Sequence, residues 1–169
     1  IQVFEIRLRT RNVHEDILRA IDKAIPYPLI FELSHKGKCK VIAAYKRPYQ
    51  NQKNEADGTK WGISEYFETN WQAADSPRTA LPTALNLGAL YDKLLSGLLP
   101  GDVGMDAPIA VRVENLEAIR AGEREIERIK ARMTREKQYN KRIAINAELR
   151  TAQQELKQLT GQKIQGGKE

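Results

Sequence analysis

The sequence predicts an α+β protein: a small antiparallel sheet with a covering helix, in the order β-α-β-β-β-α, followed by a long C-terminal coiled-coil-like helix or a helical hairpin. Three observations carry this. Short stretches with apolar alternation or β-branched content crowd the N-terminal part. Two helical stretches, each closed by proline, are set among and after them. From Val111 to Thr160 only Gly122 argues against helix.

The elements follow in order. "IQVFEIRLR" sets Ile1, Val3, Ile6 and Leu8 among mostly polar residues, as a strand does. It begins as though already inside an element and without Met, so a fragment lacking an upstream segment is expected. "NVHEDILRAIDKAIP" reads as a helix with Asn12 as N-cap, Glu15 three residues on, and Val13, Ile17, Ile21 and Ala24 on one face. Pro26 and Pro28 end it. "LIFELS" and "KVIAAYK" flank "HKGK", where Gly37 suits a hairpin turn. "QNQKNEADGT" is a polar loop, "WGISEYFET" a further strand, and "WQAADSPRTALPTA" a connector punctuated by proline. The next helix, "ALNLGALYDKLLSGLL", carries Leu87, Leu90, Leu94, Leu95 and Leu98, and Pro100 and Gly101 stop it.

These elements divide the chain into an α+β domain over 1–100, a linker over 101–112, a helical or coiled-coil region over 113–160 and a flexible tail over 161–169. A helix over 115–160 would run to about 70 Å at ~1.5 Å per residue. That is too long for the preceding domain to cover, so it must fold back, pair with another chain or fray.

Charge narrows the functional classes. The chain has 169 residues, 30% of them charged, and a net charge of +6. The excess sits in two patches. Lys36–Lys60 holds seven basic against two acidic residues, and Arg124–Arg150 nine against four, so each is +5. Such patches permit an anionic partner without requiring one. Cys39 is the only cysteine, which rules out an intrachain disulfide and deprives a zinc site of its usual thiolates. No apolar run reaches the ~18 residues of a membrane span, and no signal peptide is evident. A cytoplasmic protein without membrane contact is expected.

"AIDKAIPYPLIFEL", "AYKR", "LPTALNLGALYDKLLSGLLP" and, most specifically, "EIERIKARMTREKQYNKRIAINAELRTAQQEL" resemble the prokaryotic domain-of-unknown-function family 4391 over nearly the whole chain. The resemblance implies an N-terminal α/β region followed by a helix rich in Glu, Lys and Arg, with several tens of residues ahead of this chain's first. It also implies a bacterial or archaeal cytoplasmic protein encoded near helicases and DNA methyltransferases of restriction-like systems. It brings no catalytic residues.

The residues themselves offer little chemistry. A restriction-type nuclease needs two carboxylates for Mg²⁺ and a nearby lysine. The candidates are Glu5, Asp22 and Glu32 with Lys38, Lys40 or Lys46, yet Glu32 is followed by Leu33 and Ser34, so the Glu-x-Lys spacing is missing. His14 and His35 read as surface residues, too few for a metal site or a triad. Cys39 lies between lysines with no base identifiable. There is no P-loop and no G-x-G-x-x-G. No cofactor and no metal are expected.

"MTREKQYNKRIAIN", 133–146, is the informative stretch, and three readings compete for it. As a turn it would let the flanking segments pack as an antiparallel hairpin, although no Gly or Pro favours reversal. As continuous helix, which propensity favours, it would carry a seam of Ile119, Ile126, Ile129, Met133, Asn140, Ile143, Leu149, Leu156 and Leu159, with Asn140 setting register in a homodimer. As a working surface, Arg132, Arg135, Lys137, Lys141 and Arg142 would meet phosphates while Tyr139 stacks or packs. On the hairpin, Lys36, Lys38, Lys40 and Lys46 share even parity and would project from one face, either toward nucleic acid or as guards of a sheet edge.

The leading expectation is a non-catalytic accessory or scaffold subunit, dimeric through its C-terminal helix. It would work with a helicase or DNA methyltransferase partner and touch the phosphate backbone of DNA. The alternatives are a divergent metal-dependent nuclease and a purely protein-binding coiled-coil adaptor.

Overall fold

A computed structural model of the chain describes residues 1–48, 61–101 and 107–165. The polar loop, Tyr49 and the basic residues between 49 and 60 lie outside the described residues, as do part of the expected linker and the last four residues. The chain divides into two compact units, Ile1–Leu99 and Pro100–Glu169.

The first unit is a mixed sheet. Its strands are β1 (Gln2–Arg7), β2 (Leu29–His35), β3 (Lys38–Pro48), β4 (Trp61–Glu68) and the two-residue β5 (Gln72–Ala73), with helices α1 (Glu15–Ala24) and α2 (Leu87–Ser96). The order is β1-β2-β3-β4, with β5 beside β3. The sheet is not wholly antiparallel, because β1 pairs with β2 in parallel. The intervening α1 carries the chain back to the end from which β1 started, and a helical crossover joins parallel strands. The β2–β3 hairpin turns at Lys36 and Gly37, with φ of 45° and 72°. Two successive left-handed residues match the twist of a tight hairpin, and only Gly37 adopts that conformation without steric cost.

One sheet face is covered by α1. Leu18, Leu29, Phe31, Leu33 and Ile42 form its buried core, with Phe4, Ile6, Leu8, Ile21, Ile25 and Tyr66 packed against it. Of the expected face, Val13 and Ile21 do pack against this core, joined by Leu18, Asp22 and Ile25, whereas Ile17 is 55% exposed and Ala24 is also outside. The helix starts later than Asn12: His14 is the N-cap, its Nδ1 accepting from the Asp16 amide at 3.4 Å. In α2 the buried residues are Tyr91 and Leu95, while Leu87 stands exposed at the first turn.

Tyr91 ties α2 to β3. The β2–β3 register ends at Phe31↔Ile42. Beyond it, the Tyr91 hydroxyl donates to Ala44 O at 2.7 Å and accepts from Lys46 N at 2.9 Å, satisfying backbone that has outrun its ladder. The ring also stacks on Tyr45 at 6.1 Å between centroids. Across the strand, the register with β4 shifts between Ala44 and Lys46, and there Tyr45 N donates to Ser64 Oγ at 2.8 Å.

The second unit is an antiparallel helical hairpin. Helix α3 (Ile109–Arg135) begins inside the segment expected to be linker, and α4 (Tyr139–Gln165) runs into the expected tail. The continuous helix favoured by propensity is interrupted at Glu136–Gln138. Glu136 adopts extended backbone at φ −78° and ψ 126°, its Oε1 accepts from Gln138 N at 2.8 Å, and Gln138 O receives the Arg142 amide to open α4. No Gly or Pro is needed, because the side chain of Glu136 closes the turn.

The reversal has a packing reason. The stripe of α3 ends at Met133, and Ile126 and Ile129 find Ile145 and Leu149 of α4, flanked by Met133, Ala152 and Leu156. Closing a three-residue loop costs little entropy, and burial of two narrow stripes against each other outweighs the helix preference of the connector. Gly122 serves the close approach: a Cβ there would stand 3.3 Å from Leu156 Cδ1.

Candidate functional site

Even parity does place Lys40 and Lys46 on one face of β3, but it is the face that α1 covers, shared with the buried Ile42 and Ala44. Lys46 is therefore not a surface contact. Its ammonium donates to the backbone oxygens of Asp22 and Ile25 at the end of α1 and stands 3.5 Å from Asp22 Oδ1. A cation at the C-terminal carbonyls of a helix satisfies groups that have no intrahelical partner and opposes the negative end of the helix dipole. Lys40 is also engaged, donating to Glu68 Oε2 at 2.7 Å with its ammonium 5.3 Å from the Trp71 ring centre. Lys36 and Lys38 alone of the four are exposed, at the hairpin turn.

The interior network around Lys46 includes two residues that composition and parity did not single out, Tyr66 and Tyr91. The Tyr66 hydroxyl donates to Asp22 Oδ2. Arg19 lies 5.5 Å from the Tyr66 ring centre and pairs with Glu15 at 2.7 Å. Burial raises the Asp22 carboxyl above its ordinary range, opposed by the Tyr66 hydrogen bond and the Lys46 charge. Burial likewise raises both tyrosines, with the Asp22 hydrogen bond adding to the effect at Tyr66. The side chains of Lys46 and Asp22 are only 1% and 2% exposed. A substrate cannot reach them, so the network ties α1, α2, β3 and β4 together. The signal was present in "VIAAYK", where the even positions before Lys46 are Ile42 and Ala44, an inward-facing pair.

The three carboxylates considered for metal do not converge. Glu5 and Glu32 are register partners on β1 and β2, on the face opposite α1, and Glu32 accepts from Arg78 at 3.0 Å. Asp22 is on α1, inside the other face. Among the described residues, no group of three or more His, Cys, Asp or Glu could hold a metal ion. His35 Nδ1 lies 3.1 Å from Leu8 O, joining the ends of β2 and β1.

The hairpin arranges its residues differently. Of the expected seam, Ile119, Ile126, Ile129 and Leu149 are buried, and Met133 and Leu156 are half-buried. All but Ile119 belong to the packing between α3 and α4, so these side chains are already used within one chain. Asn140, Ile143 and Leu159 are exposed. Asn140 occupies the seam position only if α3 continues, and the chain has turned before reaching it.

The basic residues gather where the hairpin turns. Arg128 and Lys130 are paired with Glu125 and Glu127, each at 2.8 Å, and Arg132 reaches Glu148 across the helices. Arg135, Lys137, Lys141 and Arg142 are exposed, and among the described residues no ion pair engages them. Tyr139, 77% exposed, lies among them. The carboxylate of Glu136 is committed to the turn, and the first turn of α4 holds no acidic residue. Four cations thus flank Tyr139 along the chain at the turn, Arg135 closing α3 and Lys141 and Arg142 opening α4, and their net positive charge favours an anionic partner.

A mixed sheet with its helices and a basic helical hairpin define a protein of the α+β class. The family model described as "Domain of unknown function (DUF4391)" matches residues 1–156, and the chain belongs to that family. No curated protein and no solved structure matches it. No helix among the described residues is long and apolar enough to cross a membrane.

Proposed function

We propose that this protein is a non-catalytic accessory subunit of DNA-processing machinery that contacts the phosphate backbone through the turn of its α3–α4 hairpin. The single observation that supports it is the exposed group of Arg135, Lys137, Lys141 and Arg142 next to Tyr139 in the chain, which among the described residues makes no ion pair and, with Glu136 counted, carries a net charge of +3. Lysine and arginine at such a surface bind phosphate by releasing counterions, so affinity falls steeply with salt. Tyr139 adds a ring that stacks on a base or packs against a sugar. The paired cations farther along α3 contribute less, because their charge is already met. The partner would be a helicase or DNA methyltransferase, as the family resemblance leads one to expect.

The test is fluorescence anisotropy of a labelled duplex of about 25 base pairs, titrated at salt from about 50 to about 300 mM. Contact with four phosphates gives a log–log slope of about −3 to −4. The variant Lys137→Glu/Lys141→Glu/Arg142→Glu is expected to abolish binding, whereas Lys36→Glu/Lys38→Glu is expected to leave most of it. No binding at the lowest salt would refute the reading and leave the hairpin as a protein-binding element.

A further inference from the structure

At the start of α4 two large apolar side chains stand in solvent side by side. Tyr139 opens the helix and is 77% exposed, and Ile143, one turn later, is 53% exposed. Residues four apart on a helix share a face, with Cβ atoms about 5–6 Å apart. Arg142, three residues from Tyr139, borders the same face and is exposed as well. Neither apolar side chain belongs to the packing of α3 against α4, which uses Ile145 and Leu149. Among the described residues Tyr139 makes no hydrogen bond and no ring contact. The hairpin gains no packing from this pair.

The neighbouring residues narrow what covers it. Arg135, Lys137, Lys141 and Arg142 are exposed at the same turn and make no ion pair among the described residues, so charge complementarity calls for an anionic occupant. The apolar area is only two side chains, short of the patch of several hundred Å² that marks a protein-binding surface. It suits a single flat ring whose own chain carries the phosphates, which is a nucleotide. In a duplex the bases are out of reach. Each helix is about 10–12 Å across with its side chains, so the α3–α4 pair is wider than a major groove of about 12 Å. On a duplex the turn rests on the phosphate ridges, and Tyr139 stays outside the stack. An unpaired base meets no such barrier. Gln138 and Asn140, exposed on either side of Tyr139 in the chain, carry amides able to bond its free edge.

We propose that Tyr139 and Ile143 form a stacking platform for an unpaired nucleotide, so that the hairpin turn prefers single-stranded nucleic acid to duplex. The inference rests on the reading of this turn as a phosphate contact and names the kind of strand it favours. The cations hold the backbone, while the ring and its apolar neighbour take the base.

The experiment is fluorescence anisotropy on the intact chain at about 100 mM salt, with circular dichroism confirming that each variant folds. Two probes are compared, a labelled strand of about 25 thymidines and a labelled duplex of about 25 base pairs. The single strand is expected to bind about tenfold tighter than the duplex. Tyr139→Ala should weaken the single strand roughly tenfold and the duplex by less than about twofold. Tyr139→Phe keeps the ring and should hold both within about twofold of the parent, whereas Ile143→Ser should weaken the single strand alone. A duplex bound as tightly as the single strand overturns the inference and leaves the phosphate contact standing. So does a Tyr139→Ala variant in which both probes weaken equally. Binding of neither probe at about 50 mM salt instead refutes the phosphate contact itself, and the platform with it.

Discussion

The Lys46 ammonium lies between the carboxylate of Asp22 and the last carbonyls of α1, donating to the oxygens of Asp22 and Ile25 while standing 3.5 Å from Asp22 Oδ1. Removing it leaves a buried carboxylate without its cation and a helix end without its donor. Breaking such a pair from one side costs roughly 3–5 kcal/mol. Lys46→Met is therefore expected to lower the unfolding free energy by about that amount, and Lys38→Met, on the exposed turn, by less than about 0.5 kcal/mol. Urea denaturation of the two variants decides it: equal losses would mean that Lys46 does not hold α1 in place.

The same network sets a dependence on pH. Burial raises the folded-state pKa of Asp22 above 3.8, so the folded chain holds that proton more tightly than the unfolded one. The contribution is fully present below 3.8 and is lost as pH rises through the folded value. Tyr66 and Tyr91 are also raised, from 10.0, so their contributions are present below that and are lost as pH rises beyond it. Stability should thus fall on the acid side as pH climbs out of the low range, and again above about pH 10. Asp22→Asn is expected to remove the first slope and Tyr91→Phe to reduce the second, both read from urea midpoints across pH. An unchanged acid slope in Asp22→Asn would assign it to another group.

How the sequence fared follows from which forces are local. Alternation in β1, the Lys36–Gly37 turn and the helix-closing prolines Pro26 and Pro100 act within a few residues, and the elements they mark are present. The fate of Lys46 is not local. Its parity was readable, but whether that face meets solvent depends on α1, some twenty residues earlier. The break at Glu136–Gln138 was equally hidden. Each residue there tolerates helix, and the turn exists because the stripes of α3 and α4 find each other. The basic residues 135–142 were legible as a charge run, whereas their gathering at the turn came only with the reversal.

Gly122 provides a test of that approach. It sits inside α3, where alanine is favoured over glycine by about 1 kcal/mol. The added Cβ would meet Leu156 Cδ1 at 3.3 Å, the far end of a half-buried side chain beside an open groove lined by Glu123, Ile126 and Gln153. Such a methyl group can move by a few tenths of an ångström. Gly122→Ala is therefore expected to stabilise the hairpin by up to about 1 kcal/mol. The same Cβ would lie 3.9 Å from Leu156 Cβ, an ordinary contact, but the further carbons of a larger side chain must displace Leu156, and Gly122→Leu should force the helices apart and destabilise. Thermal unfolding followed by circular dichroism separates the two, and a loss in Gly122→Ala would mean that Leu156 cannot yield.

The position of Asn140 separates a hairpin from a long dimeric coil. In a continuous coil it would follow Ile119, Ile126 and Met133 in the seam, and replacing a buried asparagine there with leucine would raise stability and loosen the choice of oligomer. In the hairpin it is exposed at the start of α4, and the seam is closed by Ile129 and Leu149 instead. Asn140→Leu should then change the unfolding free energy by no more than about 0.5 kcal/mol. Ile129→Ala or Leu149→Ala, which remove buried methyl groups from the contact between α3 and α4, should each cost about 2–5 kcal/mol. Because Ile129 and Leu149 belong to one cluster within one chain, these losses should not depend on protein concentration. If Asn140→Leu stabilises markedly, and the alanine losses grow as the protein is diluted, the two helices close their seam with another copy and not with each other.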